Sequence, residues 1–237
     1  MYAESADLYD LIYLNQGKDY AAEARRINEL AQQYKKSMGN SLLDVACGTG
    51  LHVGYLSEFY QVAGVDLDQN MIAAAREKHP DITFHTGDMR DFELGFQFDV
   101  ITCLFSAIGY MLNVEQLHKA LGNMSRHLKP GGVLIIEPWF GPEVWKTGTV
   151  HTAFVDQPDL KIVRMNLSEQ KGNLSVFTFH FLVGTPKGVR YFNEYHELAL
   201  FTQAEYFGAF RANALNVSYD EAGLYGRGLY IGVKASK

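Results

Sequence analysis

Between Ser41 and Glu137 the chain alternates short apolar runs with segments whose apolar positions recur every three or four residues, as strands and amphipathic helices do in turn. The pattern predicts strands over Ser41–Ala46, Gln61–Asp66, Ile82–His85, Phe98–Leu104 and Gly132–Glu137. Helices are predicted over Leu51–Phe59, Gln69–Lys78 and Val114–Leu128. Strands joined through helices lie parallel, so this stretch reads as an α/β core. Pro80, Pro130-Gly131-Gly132 and Gly141-Pro142 fall where turns belong. Ahead of the core, a helical segment interleaves Tyr9, Tyr13 and Tyr20 with acids and leads into a helix over Tyr20–Lys36. From about Val150 to Leu200 the period drops to two, with aromatic-rich runs at Ser175–Val183 and Val189–Leu200. Lys171-Gly172-Asn173 and Gly184–Gly188 separate the runs, so the region reads as antiparallel hairpins. Thr202 with Glu205 three residues on is a capping-box signature that starts a helix to about Ala214, and strands near Asn216–Asp220 and Gly228–Val233 close the pattern.

A chain of 237 residues with 47% hydrophobic composition can bury one substantial core, and one domain with an insertion is the expectation. The expected parts are a helical segment over 1–40 that covers the site, a core over 41–142 and 201–237, and an antiparallel insertion over 143–200. The net charge of −6 argues against a surface built to grip nucleic acid. Cys47 and Cys103 both sit among apolar residues and read as reduced thiols, with neither a disulfide nor a metal site implied. Met1 to Asp7 carries acids and no apolar signal core, and no apolar run approaches the ~20 residues of a membrane span. The expectation is an untargeted cytoplasmic protein without a membrane partner; a homodimer is left open.

Ligands of such a sheet bind at the carboxyl ends of its strands, and polar residues cluster there. Asp44-Val45-Ala46-Cys47-Gly48-Thr49-Gly50 ends a buried strand in an acid and spaced small residues, which let backbone approach a ligand. A dinucleotide fingerprint needs a further glycine at 53, where this chain has Val53, and that favours a smaller nucleoside cofactor. Asp66, followed by Leu67, is placed to accept from ribose hydroxyls; its plain alternative is a helix cap, a job Asp68 can do. Asp88 can accept from an adenine amine while Met89 covers the base, against a solvated acidic turn. Met71 adds an apolar residue near the same base, against ordinary core.

This order of residues resembles the class I S-adenosylmethionine (SAM) methyltransferases. The resemblance implies a Rossmann-like α/β sheet whose glycine loop (Asp44, Ala46, Gly48, Gly50) approaches the methionine end of SAM. Asp66 then holds the ribose and Asp88 the adenine. Ala46 stands where many members have glycine, which is expected only to tighten the loop. The antiparallel insertion falls where the family places a substrate cap. A narrower resemblance runs through Tyr9-Asp10-Leu11, Gly17-Lys18-Asp19-Tyr20, Gly87–Phe92, Phe105-Ser106, Gly109-Tyr110, Glu137-Pro138-Trp139, Lys187-Gly188-Val189-Arg190 and Gly226-Arg227-Gly228-Leu229. These segments are similar to the N,N-dimethyltransferases of thymidine-diphosphate (TDP) amino sugars in antibiotic biosynthesis, the desosamine and mycaminose type. That resemblance implies Tyr9, Tyr110 and Tyr13 at the reacting centre, and Tyr20 and Phe105 beside the cofactor.

Methyl transfer from a sulfonium needs a neutral nucleophile held in line, and a tyrosine or histidine near an amine can orient it or relay its proton. Glu137 can bond a substrate hydroxyl or ammonium and Trp139 can stack on a sugar, against a rim carboxylate and a core aromatic. A diphosphate needs local cations. Arg227, between two glycines, is the first candidate; Arg190 and Lys187 are others, against a solvated turn. His180 alternates onto a strand face with Thr178 and Leu182, where a structural role is the stronger reading. Cys103-Leu104-Phe105-Ser106 lacks the Asp/Asn-Pro-Pro-aromatic signature of many nucleic-acid amino-methyltransferases. C-, N- or O-methylation of an aromatic small molecule, and a SAM-binding module without catalysis, are the competing readings.

Overall fold

The computed structural model describes residues 4–236; residues 1–3, part of the expected N-terminal segment, and residue 237 lie outside the described residues. The chain opens with helices α1 (Ala6–Asn15) and α2 (Tyr20–Tyr34). It continues through β1 (Ser41–Val45), α3 (Leu51–Leu56), β2 (Gln61–Asp66), α4 (Gln69–Lys78), β3 (Thr83–Thr86), β4 (Phe98–Cys103), α5 (Val114–Arg126) and β5 (Leu128–Ile136). Five strands, β6 (Val150–Gln157), β7 (Leu160–Leu167), β8 (Glu169–Lys171), β9 (Leu174–Thr185) and β10 (Gly188–Ala199), follow. Helix α6 (Gln203–Ala212), β11 (Leu215–Asp220) and β12 (Leu229–Lys234) end the described chain.

β1 to β5 run parallel in one sheet, ordered β11-β12-β5-β4-β1-β2-β3, with the last two strands of the chain added antiparallel at one edge. All six residues of the central strand β4 are buried, as expected of a parallel strand covered on both faces. The pleat sends neighbouring residues to opposite layers. Leu43, Ile101, Leu134 and Ile136 pack with α5 and α6, while Leu42, Val100, Val133 and Ile135 pack with Ile27 and Leu30 of α2 and Leu56 of α3. The helices start on capping side chains. Asp68 accepts the Asn70 N–H at 2.9 Å, and the Thr202–Glu205 box closes both ways, with the Thr202 N–H on Glu205 Oε2 at 2.7 Å.

Two elements differ from their expected bounds by more than two residues. Helix α3 stops at Leu56 and gives way to turns before Tyr60. Strand β5 begins at Leu128, because Pro130-Gly131-Gly132 forms a bulge rather than a break: Phe98 pairs with Leu128, yet Val100 pairs with Val133.

The second sheet, ordered β10-β9-β7-β6 with β8 on β9, is antiparallel throughout. Its inward residues Val155, Ile162, Phe181, Val183 and Phe192 form a cluster with Leu8 and Ile12 of α1. Helix α1 is also tied to both sheets by polar contacts. Asp10 takes Thr49 Oγ1 and Lys78 Nζ of the core, Asn15 donates to the Phe154 carbonyl, and Ser5 Oγ donates to Glu194 at 2.7 Å. Among the described residues no helix is long and apolar enough to cross a membrane.

Candidate active site

Two cavities meet at the carboxyl ends of β1, β2 and β4. The first, about 450 Å³, is lined by Ala46, Gly48, Asp66, Leu67, Met71, Asp88, Met89, Phe105, Tyr9 and Tyr110 among others. The second, about 370 Å³, lies between the core rim and the second sheet and also has Tyr9, Phe105 and Tyr110 in its wall. Both volumes are in the range of small-molecule sites. The three shared side chains mark where their contents can touch.

The first cavity has the chemistry of a nucleoside site. Asp66 Oδ2 accepts the Gly48 N–H and its Oδ1 the Asp68 N–H, each at 2.8 Å, so one carboxylate braces the glycine loop while facing the cavity. Burial pushes the Asp66 carboxyl above the usual carboxylate range, against those two bonds. The cap role belongs to Asp68. Gly48 and Gly50 adopt φ of 54° and 80°, and a Cβ at Gly50 would press Phe84 and His79 at 3.2 Å. Ala46 differs from its expectation of merely tightening the loop: it stands at φ 59°, a left-handed conformation that costs a residue with a Cβ about 1–2 kcal/mol. Met71 is fully buried beneath the site, and Leu67 is exposed at its edge. Asp88 is clasped by the Arg90 guanidinium and by the Arg90 N–H at 2.9 Å; that pairing holds its carboxyl below the usual range.

A smaller hollow continues past Gly48 to Asp44, Thr49, Tyr20 and His52. Asp44 is buried and accepts from Thr102 Oγ1 at 2.7 Å. Burial pushes its carboxyl up to about 6. Behind it lies a buried chain of charges, in which Glu23 bonds Lys18 Nζ and His52 Nε2, each at 2.6 Å, and Lys18 lies 4.1 Å over the Phe105 ring. Burial opposes the Glu23 charge, but these partners outweigh it and hold its carboxyl below the usual range.

Tyr9, Tyr13 and Phe105 pack edge to face in the shared wall, with centroids 4.8 Å apart for Tyr9–Tyr13 and 4.7 Å for Tyr13–Phe105. Phe105 and Ser106 have φ of 51° and 63°, two adjacent left-handed residues. They are held there by Glu137, whose Oε2 accepts the Phe105 N–H at 2.6 Å, and by Ser106 Oγ on the Pro138 carbonyl at 2.7 Å. Glu137 is wholly buried, and its other oxygen takes Arg227 Nη2 at 2.7 Å. The carboxylate expected to meet a substrate therefore braces the wall instead, with both oxygens engaged.

The second cavity is aromatic. Trp139, Phe140, Trp145, Phe177 and Phe179 line it, and Trp139 Nε1 donates to Ser175 Oγ at 2.8 Å while its ring faces inward. Arg227 and Arg164 supply its positive charge. Arg164, on β7, lies 4.4 Å over Phe179 and donates to Tyr13 Oη at 3.1 Å, and among the described residues no carboxylate pairs with it. Arg190 and His180 are not brought here. Arg190 lies over Phe192, 3.9 Å from Asp7, near the tip of the β9–β10 hairpin. His180 is on the outer face of the second sheet, bonded to Tyr191 Oη at 2.7 Å. Sequence reasoning missed Arg164, and also His196, whose Nδ1 lies 2.9 Å from Tyr110 Oη. Their signal was the polar residues interrupting the inward rows of β7 and β10, visible only once the buried face of each strand is known.

A methyltransferase-domain family matches residues 42–132. The chain is 45% identical over 234 residues to the dTDP-3-amino-3,4,6-trideoxy-alpha-D-glucopyranose N,N-dimethyltransferase of Streptomyces venezuelae, covering 98% of each. It is 39% identical over 236 residues to the dTDP-3-amino-3,6-dideoxy-alpha-D-glucopyranose N,N-dimethyltransferase of Streptomyces fradiae, covering 99% of this chain and 92% of that one. The crystal structure of Streptomyces venezuelae DesVI superposes with a TM-score of 0.93 at 44% identity, covering 98% of this chain and 99% of that one. A SAM-bound amino pentose methyltransferase of Micromonospora echinaspora superposes with a TM-score of 0.88 at 35% identity, covering 96% and 97%. With a glycine loop, an acid and an apolar floor that fit SAM, the chain belongs to the class I SAM-dependent methyltransferases, within the family of the amino-sugar N,N-dimethyltransferases.

Proposed function

We propose that the chain transfers two methyl groups to the amine of a nucleotide-linked TDP amino sugar in natural-product biosynthesis. One observation carries the reading. The cavity facing the cofactor side across Tyr9, Phe105 and Tyr110 combines aromatic faces, on which a base and a sugar can stack, with Arg164 and Arg227, the cations a diphosphate needs in a chain of net charge −6. The relatives' names point to the same class of acceptor. Arg164 is the better phosphate partner, because Arg227 already serves Glu137.

SAM, when bound, supplies a methyl group made electrophilic by its sulfonium. On that side Asp66 would hold the ribose hydroxyls, Asp88 and Met89 the adenine, and Asp44 with Tyr20 the methionine end. On the acceptor side the tyrosines orient the amine. Burial raises the Tyr9 phenol well above its usual pKa, so it acts as a neutral hydroxyl and not as a base. The α1 helix and the aromatic wall exclude water from the reacting point.

The deciding assay is mass spectrometry of acceptors incubated with methyl-labelled SAM: TDP amino sugars, the free amino sugars and aromatic amines. Methylation of the TDP amino sugars, with Arg164→Ala raising KM for them more than for the free sugars, is expected. Preferential methylation of the aromatic amines overturns the reading.

A second copy of the chain is the partner that fits the outer face of the second sheet. Phe154, Leu182 and Tyr191 lie there across neighbouring strands, each at least half exposed. Light scattering of the wild type and of Leu182→Lys tests this, with a dimer expected for the first and a monomer for the second. The buried free thiols Cys47 and Cys103 fit a reducing cytoplasm.

A further inference from the structure

Strand β7 turns two polar side chains, Arg164 and Asn166, toward the second cavity, and Ser168 follows one residue past its end on the same lining. Alternate residues of a strand share a face and stand about 7 Å apart, so the three form a row. Asn166 is 8% and Ser168 1% exposed. Among the described residues, neither the amide of the first nor the hydroxyl of the second is hydrogen-bonded. The Ser168 backbone is pinned, its N–H donating to the Thr149 carbonyl at 2.9 Å and its carbonyl accepting the Gly148 N–H at 2.8 Å, so the hydroxyl cannot shift toward a partner elsewhere. A buried polar group without a partner costs stability, and its presence in a cavity wall calls for a ligand that completes it.

The row has a direction. Arg164 marks the inner end, because it donates to Tyr13 Oη in the wall shared with the cofactor cavity. Ser168 marks the outer end. There Trp145 donates its indole N–H to the neighbouring Glu169 carbonyl at 3.1 Å, with ring centroids 5.8 Å from Trp139 and 6.5 Å from Phe177. From the reacting point outward the chemistry therefore runs cation, amide, then hydroxyl among aromatic rings. A nucleotide-linked amine, laid with its amine at the shared wall, presents its diphosphate first and its flat heterocycle last.

We propose that Asn166 and Ser168 bind the edge of the acceptor's pyrimidine base, so that acceptor affinity depends on the base and not on the diphosphate alone. The inference rests on the amino-sugar reading above. Thymine presents a ring N–H between two carbonyls. Asn166 complements half of that edge, with Oδ1 accepting the ring N–H and Nδ2 donating to one carbonyl, and Ser168 Oγ donates to the other. The aromatic faces of Trp139, Trp145 and Phe177 take the ring itself.

The test is titration calorimetry of the full-length protein saturated with S-adenosylhomocysteine, using TDP, its N3-methylated form and inorganic diphosphate as probes. Asn166→Ala should weaken TDP about 30-fold, the worth of two hydrogen bonds, and narrow the gap between TDP and the N3-methylated form, while diphosphate affinity holds. Ser168→Ala should weaken TDP about fivefold, yet Tm of the unliganded protein should hold or rise, because an unpaired buried hydroxyl is gone. Arg164→Ala should weaken TDP and diphosphate alike. Unchanged TDP affinity in both Asn166→Ala and Ser168→Ala overturns the inference. So does an Asn166→Ala loss as large for diphosphate as for TDP, which puts the amide on the phosphates, or a lowered Tm in Ser168→Ala, which makes the hydroxyl structural. A wild type that binds no TDP and methylates no TDP amino sugar overturns the underlying reading instead.

Discussion

Replacing Glu137 by Gln removes one charge from a wholly buried site and separates a bracing role from a substrate-binding one. The carboxylate takes two donors, the Phe105 N–H at 2.6 Å and Arg227 Nη2 at 2.7 Å. A neutral amide offers one oxygen and turns its NH2 toward the other donor, so either the loop amide or the guanidinium loses its acceptor. Arg227 is only 17% exposed, and water does not fully replace the lost partner. Breaking a buried pair from one side costs about 3–5 kcal/mol. For a chain of this length each kcal/mol moves Tm by about 2–4 °C, so Glu137→Gln should melt about 6–20 °C below the wild type. Removing both members, in Glu137→Gln with Arg227→Met, should cost clearly less than the sum of the single changes, because the methionine leaves no orphaned charge. Calorimetry of the four proteins reads the coupling directly. An unaltered Tm with a raised KM for the acceptor would refute the reasoning and return Glu137 to the substrate.

Two further outcomes follow from the cofactor side. Asp66→Ala removes the ribose acceptor and the brace on the Gly48 N–H together, and SAM affinity by titration calorimetry should drop about 100-fold, the worth of two hydrogen bonds to a charged group; unchanged affinity would place the ribose elsewhere. Asp44, pushed up to about 6, is stabilising to the fold in its protonated form, a contribution present below the unfolded pKa of about 4 and lost as pH rises through 6. The ionised form is the one that attracts a cationic cofactor, so SAM affinity should rise about fivefold from pH 5 to 6 and about twofold more by pH 7, and Asp44→Asn should abolish the slope. A slope that survives the substitution assigns the titration to another group.

Much of the core was legible because its signals are local. A capping box is four residues long, and Thr202 with Glu205 behaves as written. Asp66 and Asp88 follow their strands directly, so strand prediction alone carries them to the cavity. The bounds of β9 and β10 fell within two residues of the runs that announced them, because the middle of each strand buries one face and alternates there. What was not legible is what depends on pairing at long range. Glu137 and Arg227 are ninety positions apart and meet only because of the way the loop before β12 folds onto the rim. Arg164 and His196 lie on strands whose inward rows mix polar and apolar residues, and one-residue phase decides whether such a row faces a cavity or solvent. Arg190 was misplaced for the same reason: a hairpin's charge goes where its tip goes, and this tip points away. Pro130-Gly131-Gly132 was read as a turn and lies instead inside β5 as a bulge, because a bulge and a chain reversal use the same residues.

The anchoring of α1 has a consequence for how the molecule is made. A helix of ten residues is marginal in water by itself, and this one is completed by Thr49 and Lys78 on one side and by Phe154 and Glu194 on the other. On the ribosome its residues emerge before either sheet, yet its final contacts do not exist until Glu194 has been synthesised, 189 residues after Ser5. Tyr9 and Tyr13 ride on that helix, so the reacting centre is assembled only once β10 has been made. A nascent chain that has finished its cofactor strands but not β10 holds a nucleoside site without a methyl-transfer centre.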